Sequence, residues 1–192
     1  MTVSTYTDRP VLRNDVVSLE PLERGHLEAL KAAVADGDVW DSWLALTPSP
    51  QEMAEDIEVR LTDGRAAFVV REKSSGKIVG ETCYLHPDPD NRVISIGATW
   101  YAASAQGTKV NPAAKLLLLE RAFEVLRVNR VEIRTHVMNR ASRGAIEKLG
   151  AKLDGILRQD RIVRGGRTRD SAVYSILAHE WPMVRAGLEA RL

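Results

Sequence analysis

A single cysteine, Cys83, leaves this chain no internal disulfide and no metal site built on several thiolates. It sits in "KIVGETCYLH", a strand-like run with no His or Asn arranged beside it, and reads as a buried, inert thiol. Long apolar runs are missing as well. The longest, "LLLL", stands in a charged frame and falls far short of a membrane span. The N-terminal "MTVSTYTDRP" has no apolar core and is not a secretory signal. Charge of either sign is not in excess: Lys and Arg number 27 against 26 Asp and Glu, a formal charge of +1. That argues against a dedicated nucleic-acid binder, which carries a strong basic surplus. Repeats and low-complexity tracts are also lacking. The expectation is a soluble, cytoplasmic protein with no membrane partner and no metal.

What is present suits one compact domain, with 192 residues, 44% hydrophobic and 28% charged. We expect a flexible N-terminus over residues 1–10 and a single domain over 11–192. "RNDVVSLEPL" reads as a strand, and "ERGHLEALKAAVA", with Leu27, Leu30 and Val34 at helical spacing, as a helix. "SPQEMAEDIEVRL" is a second helix, with Ser49 as N-cap and Pro50 at its first position. "RAAFVVREK", "KIVGETCYLH" and "RVISIGATWY" are three strands separated by turns. A Leu-rich helix runs from Pro112 to about Arg127, followed by the strand "RVEIRTHV". The helix "NRASRGAIEKLGA" takes Asn139 as its N-cap and Gly150 as its stop. A long hairpin turns at Gly165-Gly166, and a terminal helix closes the chain. This order predicts a mixed α/β sheet, antiparallel at both ends, rather than a doubly wound one.

The loop "AQGTKVNP" breaks a strand and opens the Leu-rich helix. A helix N-terminus carries unpaired N–H groups and about half a positive charge, which favours phosphate when the preceding loop keeps its amides free. Gly107 lets the backbone approach a ligand, Asn111 and Pro112 start the helix, and Lys109 adds a mobile positive charge. An ordinary strand-to-helix turn would look the same. A second strand end, however, repeats the design in "THVMNRASRG", with Asn139 at a helix start and Ser142 about one turn in. Two parallel strands, each feeding a helix start at one sheet edge, could hold a phosphate- and amide-bearing ligand where they diverge.

At this point the chain resembles the GNAT superfamily of acyl-CoA-dependent N-acyltransferases, in the branch of ribosomal-protein N-terminal acetyltransferases. The resemblance runs from about Leu12 to Trp181 and is carried by "NPAAKLLLLERAFE", "NRASRGAIEKLGA", "GILR" and "RDSAVYSILAHEW". It implies a mostly antiparallel sheet with helices on both faces, its central strands splayed where acetyl-CoA or coenzyme A binds. Pantetheine would meet the backbone around Thr99, Trp100, Tyr101 and Ala102, and an amide near Tyr101 or Ala102 would polarise the thioester carbonyl. The pyrophosphate would meet Gln106, Gly107, Thr108, Lys109, Val110 and Asn111, with Lys115, Asn139, Ser142 and Arg143 completing the site. Two departures stand out in the family's loop motif: Lys109 replaces its central Gly, and Asn111 its closing Gly or Ala.

The implied reaction is attack of a primary amine on the thioester. Many relatives carry Glu where this chain has Ser95, and Tyr where it has Ile146. Ser142 is the remaining candidate to hydrogen-bond the thiolate, Ser95 could orient a water, and His136 is a further candidate base. Gly97 is a candidate for the bulge that opens the strand. Trp40, Trp43 and Asp41, beside Asp36 and Asp38, suit a cationic amine, on a small molecule, a protein N-terminus or a lysine. Arg158, Arg161, Arg164, Arg167 and Arg169 on the hairpin could face solvent, hold the CoA 3′-phosphate or admit a succinyl-type acyl group. A catalytically weak acyl-CoA-binding or regulatory protein, an RNA contact through that hairpin, and a homodimer stay open.

Overall fold

The computed structural model describes residues 3–44, 46–163 and 166–192. Arg164 and Gly165, named in the hairpin above, lie outside the described residues. The elements are α1 (Val3–Thr7), β1 (Leu12–Arg13), β2 (Val17–Pro21), α2 (Leu27–Val34), α3 (Met53–Thr62) and β3 (Ala66–Glu72), followed by β4 (Ile78–Asp88) and β5 (Val93–Tyr101). The second half holds α4 (Val110–Glu120), a π-helical turn (Arg121–Val125), β6 (Arg130–His136), α5 (Arg140–Glu147), β7 (Lys152–Ile162), β8 (Thr168–Leu177) and α6 (Trp181–Glu189).

Among the described residues the strands form one sheet in the order β1-β2-β3-β4-β5-β6-β8-β7. Every neighbouring pair is antiparallel except β5–β6, which α4 connects as a parallel pair. The expected mixed sheet is therefore present. The first strand is two short ones, because Asn14 Oδ1 accepts from the amides of Val16 and Val17 and turns the chain between them. Residues 3–7, expected within a flexible N-terminus, form α1 instead. Its Tyr6 is buried and donates to the carbonyl of Leu126, so apolar contact fixes what looked like a tail.

Period-two alternation divides the sheet into two faces. On the back, Phe68, Tyr84, Ile94, Val131, Ile133 and Tyr174 pack against Leu118 and Leu119 of α4, Ile146 of α5 and Trp181 of α6. On the front, Ala67, Val69, Cys83 and Trp100 pack against Leu30 of α2 and Met53 and Ile57 of α3. Cys83 is fully buried, and burial pushes its thiol pKa up, as an inert core cysteine requires.

Candidate active site

β5 and β6 share only three rungs, Val93↔Arg130, Ile94↔Val131 and Ser95↔Glu132. Beyond them β5 stays paired with β4 as far as Tyr101, and β6 stays paired with β8 as far as His136. The two strands part, and each offers an unpaired backbone edge to the gap. An unpaired edge inside a sheet is a template for an extended ligand. The β4–β5 register slips between Glu81 and Cys83, where β5 holds one extra residue. The left-handed residue of this bulge is Ala98 (φ 48), rather than the Gly97 anticipated above. Gly97 has a steric reason: a Cβ there would lie 2.8 Å from Leu85 Cδ1.

The amide of Ala102 donates to the carbonyl of Val79 at 2.8 Å, so it points to β4 and away from the gap. By alternation the amides of Thr99 and Tyr101 face the opposite way. Of the two polarising amides expected, only Tyr101 is free to face the gap.

α4 begins at Val110, two residues before Pro112, which falls inside the first turn. Asn111 is therefore a helical residue rather than the starter. Gly107 in left-handed backbone (φ 72) turns the chain, and Thr108 Oγ1 accepts from the Val110 amide while donating to the Ala105 carbonyl. Among the described residues the amides of Gly107, Thr108 and Lys109 make no hydrogen bond, which leaves donors open at a helix start. Two side chains of this loop are tied to other parts of the chain. Gln106 donates to the carbonyl of Tyr101 at 3.0 Å, and Lys109 Nζ, expected to be mobile, bonds the main-chain carbonyl of Leu192. The preceding turn is latched by Asp36, whose carboxylate accepts from Ser104 N and Oγ.

Across the gap Asn139 caps α5 as expected, its Oδ1 accepting from the Ser142 amide at 3.0 Å. The Ser142 hydroxyl is half-buried and makes no hydrogen bond among the described residues. Arg143 is a brace, donating to Tyr174 Oη at 2.8 Å and to the carbonyl of Val137 at 3.2 Å. An open-amide helix start on one side and a capped one on the other, flanking parted strands, fit an acyl-CoA.

On the front, Ser95 reaches Glu132 Oε1 at 3.4 Å, a carboxylate the sequence reading did not single out. Glu132 also accepts from Arg134 at 2.5 Å and Arg130 at 3.3 Å. His136 is buried, and burial followed by Arg169 holds its pKa below the usual imidazole value, favouring the neutral ring. Its Nδ1 accepts from the Met138 amide at 3.1 Å, so the neutral ring carries its proton on Nε2. In that tautomer His136 offers an N–H donor and no free ring acceptor, which counts against its candidacy as a base. Trp43, 55% exposed, covers it edge-on with ring centroids 5.3 Å apart. A cavity of about 320 Å³ beside Trp43 is lined by Trp40, Asp41, Ser49 and Arg167, residues of the early loop, the start of the α3 segment and the hairpin.

Buried polar groups flank the bulge on both faces. On the front, Glu81 accepts from Trp100 Nε1 at 2.9 Å and faces Arg60, which also reaches the carbonyl of Ala98 at 3.5 Å. Burial raises the Glu81 pKa, with Arg60 opposing. On the back, Lys115 of α4 is 6% exposed and donates to Thr99 Oγ1 at 2.8 Å and Thr82 Oγ1 at 3.4 Å. Burial pushes its pKa down to about 7. The unfolded chain then binds one more proton between pH 7 and the ordinary value of 10.5, so stability rises with pH across that window. We predict that the unfolding free energy of the wild type, from urea denaturation, gains about 1.4 kcal/mol per pH unit over that of Lys115→Met from pH 7 upward. Parallel curves would mean that Lys115 keeps an ordinary proton affinity.

Residues 17–152 match the family model described as an acetyltransferase (GNAT) domain. The chain belongs to the GNAT acetyltransferase family. Transfer of an acetyl group from acetyl-CoA to an amine is that family's general function. A GNAT relative in Bacillus subtilis (strain 168), named as a ribosomal N-acetyltransferase, YdaF, is 35% identical over 106 residues. That match covers 55% of this chain and 57% of the relative, so the chain spans little more than half of it. A GCN5-related N-acetyltransferase from Brucella melitensis superposes with a TM-score of 0.89 at 29% identity, over 96% of this chain and 86% of that one. An acetyltransferase from T. thermophilus gives 0.86 at 33% identity, over 96% and 98%. Among the described residues, no helix of this GNAT chain is long and apolar enough to cross a membrane.

Proposed function

We propose that this chain is a cytoplasmic enzyme that transfers an acetyl or related short acyl group from acyl-CoA to a primary amine. The observation that carries the reading is the parting of β5 from β6 beyond Ser95↔Glu132, with open amides at Gly107–Lys109 on one flank. Bound there, the thioester supplies an activated carbonyl. The amides of Gly107, Thr108 and Lys109 hold the pyrophosphate, and the backbone of Thr99 to Tyr101 takes the extended arm. The Tyr101 N–H is the donor aimed at the carbonyl oxygen, a role that needs no special side chain. Ser142 donates a hydrogen bond to the leaving thiolate, and Ser95, held by Glu132, orients a water that passes the amine proton to solvent, so that the products are the amide and the free thiol. The side chains of Gln106, Lys109, Lys115 and Arg143 serve by shaping the walls. Trp40, Trp43 and Asp41 receive the acceptor.

Incubation with acetyl-CoA and an amine panel, followed by free-thiol release, tests this reading directly. Ser142→Ala should lower turnover by about tenfold or more while changing acetyl-CoA affinity less than about threefold, as expected of a bond used only in the transition state. Equal losses in both would reduce Ser142 to a binding residue. The second reading, a catalytically weak acyl-CoA-binding protein, is favoured by the tied Glu132 and the donor tautomer of His136. It predicts acetyl-CoA binding with no thiol release on any amine.

A further inference from the structure

The front of the gap carries hydrogen-bond donors that the acyl-transfer chemistry does not use. Four residues beyond the last shared rung, β6 reaches His136 and β5 reaches Thr99, about 13 Å along at 3.3 Å per residue. His136 therefore stands at the height of the bulge. Its register partner is Ser171 of β8, and Arg169 follows two residues on along the same face. Ser171 is fully buried, yet its Oγ has no hydrogen-bond partner among the described residues, and neither has the buried Nε of Arg169. Buried polar atoms without partners require an explanation, and a missing ligand is one. With His136 Nε2–H, these are three donors on two adjacent strands.

Charge agrees with the donor count. Along β6 and the outer hairpin, Arg130 pairs with Asp154 at 2.9 Å and Arg134 pairs with Glu132 at 2.5 Å. Asp160 lies 3.7 Å from both Arg134 and Arg161, and its buried Oδ2 has no hydrogen bond. Arg161 reaches across the front to His86 Nε2 at 3.4 Å. Arg169, the cross-strand partner of Arg161, makes no ion pair within 4.0 Å among the described residues, although Asp160 is close enough to act on its charge. Burial and then Arg161 push its pKa down, with the shared Asp160 opposing them only in part.

We infer that the acceptor is a small amine that also bears a carboxylate, as a free α-amino acid does, with that carboxylate bound by Arg169, Ser171 and His136. The inference rests on the acyl-transfer reading for the fate of the amine, but the carboxylate site stands on its own donors. A guanidinium edge, a hydroxyl and an imidazole N–H together complement a planar anion. Their position beside the bulge places the amine of a short acceptor at the gap, where a long peptide would have to enter past Trp43. Asp41, lining the neighbouring cavity, is the counter-charge available to an ammonium on its way in.

The test uses the full chain saturated with CoA and calorimetric titration of the twenty common α-amino acids, each beside its C-terminal amide. At least one amino acid should bind about tenfold to a hundredfold tighter than its amide, from charge-assisted bonds. Arg169→Gln should abolish that difference, Arg169→Lys should keep part of it, and both should leave CoA affinity and the melting temperature unchanged. Equal binding of acids and amides, no binding of any acid, or a selective loss of CoA affinity in Arg169→Gln would overturn the inference. A parallel thiol-release assay with acetyl-CoA separates the two ideas. Selective binding without thiol release would remove the acyl-transfer reading and leave the carboxylate site standing, whereas release at equal efficiency from acids and amides would do the reverse.

Discussion

Arg60→Ala should destabilise the fold by about 3–5 kcal/mol, the usual consequence of leaving a buried partner charge uncompensated. Arg60 is 3% exposed and Glu81 0% exposed, and they face one another beneath β5 with Asp56 as the second carboxylate on the guanidinium. Removing the guanidinium strands the Glu81 carboxylate, whose Oε1 already lacks a hydrogen-bond partner among the described residues. It also frees the carbonyl of Ala98 and packing against Cys83. The double change Arg60→Met with Glu81→Gln removes both charges and keeps an acceptor for Trp100 Nε1. It should recover most of the loss in urea denaturation, because a buried pair contributes little net stability once both desolvation costs are removed. A single variant within about 1 kcal/mol of wild type, or a double variant no better than the single, would show that this pair is solvated and does not brace the bulge.

Gly107→Val should weaken acetyl-CoA binding by about tenfold to a hundredfold, at about 1.5–3 kcal/mol per lost amide–phosphate bond. Gly107 has φ 72, a backbone region that a β-branched residue avoids. No atom lies within 4 Å of where its Cβ would stand, so the folded protein has room for the side chain. The strain alone costs about 1–2 kcal/mol of stability. The larger effect is expected on binding, because in the proposed complex the open side of this residue is the side from which a pyrophosphate would meet the amides of Gly107 to Lys109. Calorimetry against acetyl-CoA, with the melting temperature recorded in parallel, separates the two effects. A variant that loses stability while keeping full affinity would take the pyrophosphate away from this loop.

Much of this architecture was legible in the chain because its strands alternate cleanly and its turns carry Gly, Pro and Asn at their ends. The parallel β5–β6 pair followed from two strand–loop–helix units with similar starts, its parting from the resemblance to the GNAT superfamily, and the Asn139 cap was visible as a side chain able to reach an amide three residues on. Local signals also misled. Asn111-Pro112 is a good helix opening, but Thr108 satisfies the Val110 amide and moves the start back by two residues. Lys109 looked like a mobile charge because nothing nearby in sequence binds it; its partner is the last residue of the chain. Glu132, Glu81 and Arg60 went unnoticed for the same reason. Each reads as an ordinary charged residue in its own strand or helix, and only register across the sheet brings Ser95 to Glu132. The tautomer of neutral His136 follows from a single amide, that of Met138, whose donation to Nδ1 no residue pattern announces.

The most direct test is a crystal structure of the chain with acetyl-CoA. It should place the pantetheine arm between the unpaired edges of β5 and β6, with the Tyr101 amide on the thioester oxygen and the pyrophosphate on the amides of Gly107, Thr108 and Lys109. A ligand lying elsewhere, or β5 and β6 zipped together beyond Ser95 with the ligand outside the sheet, would contradict the account.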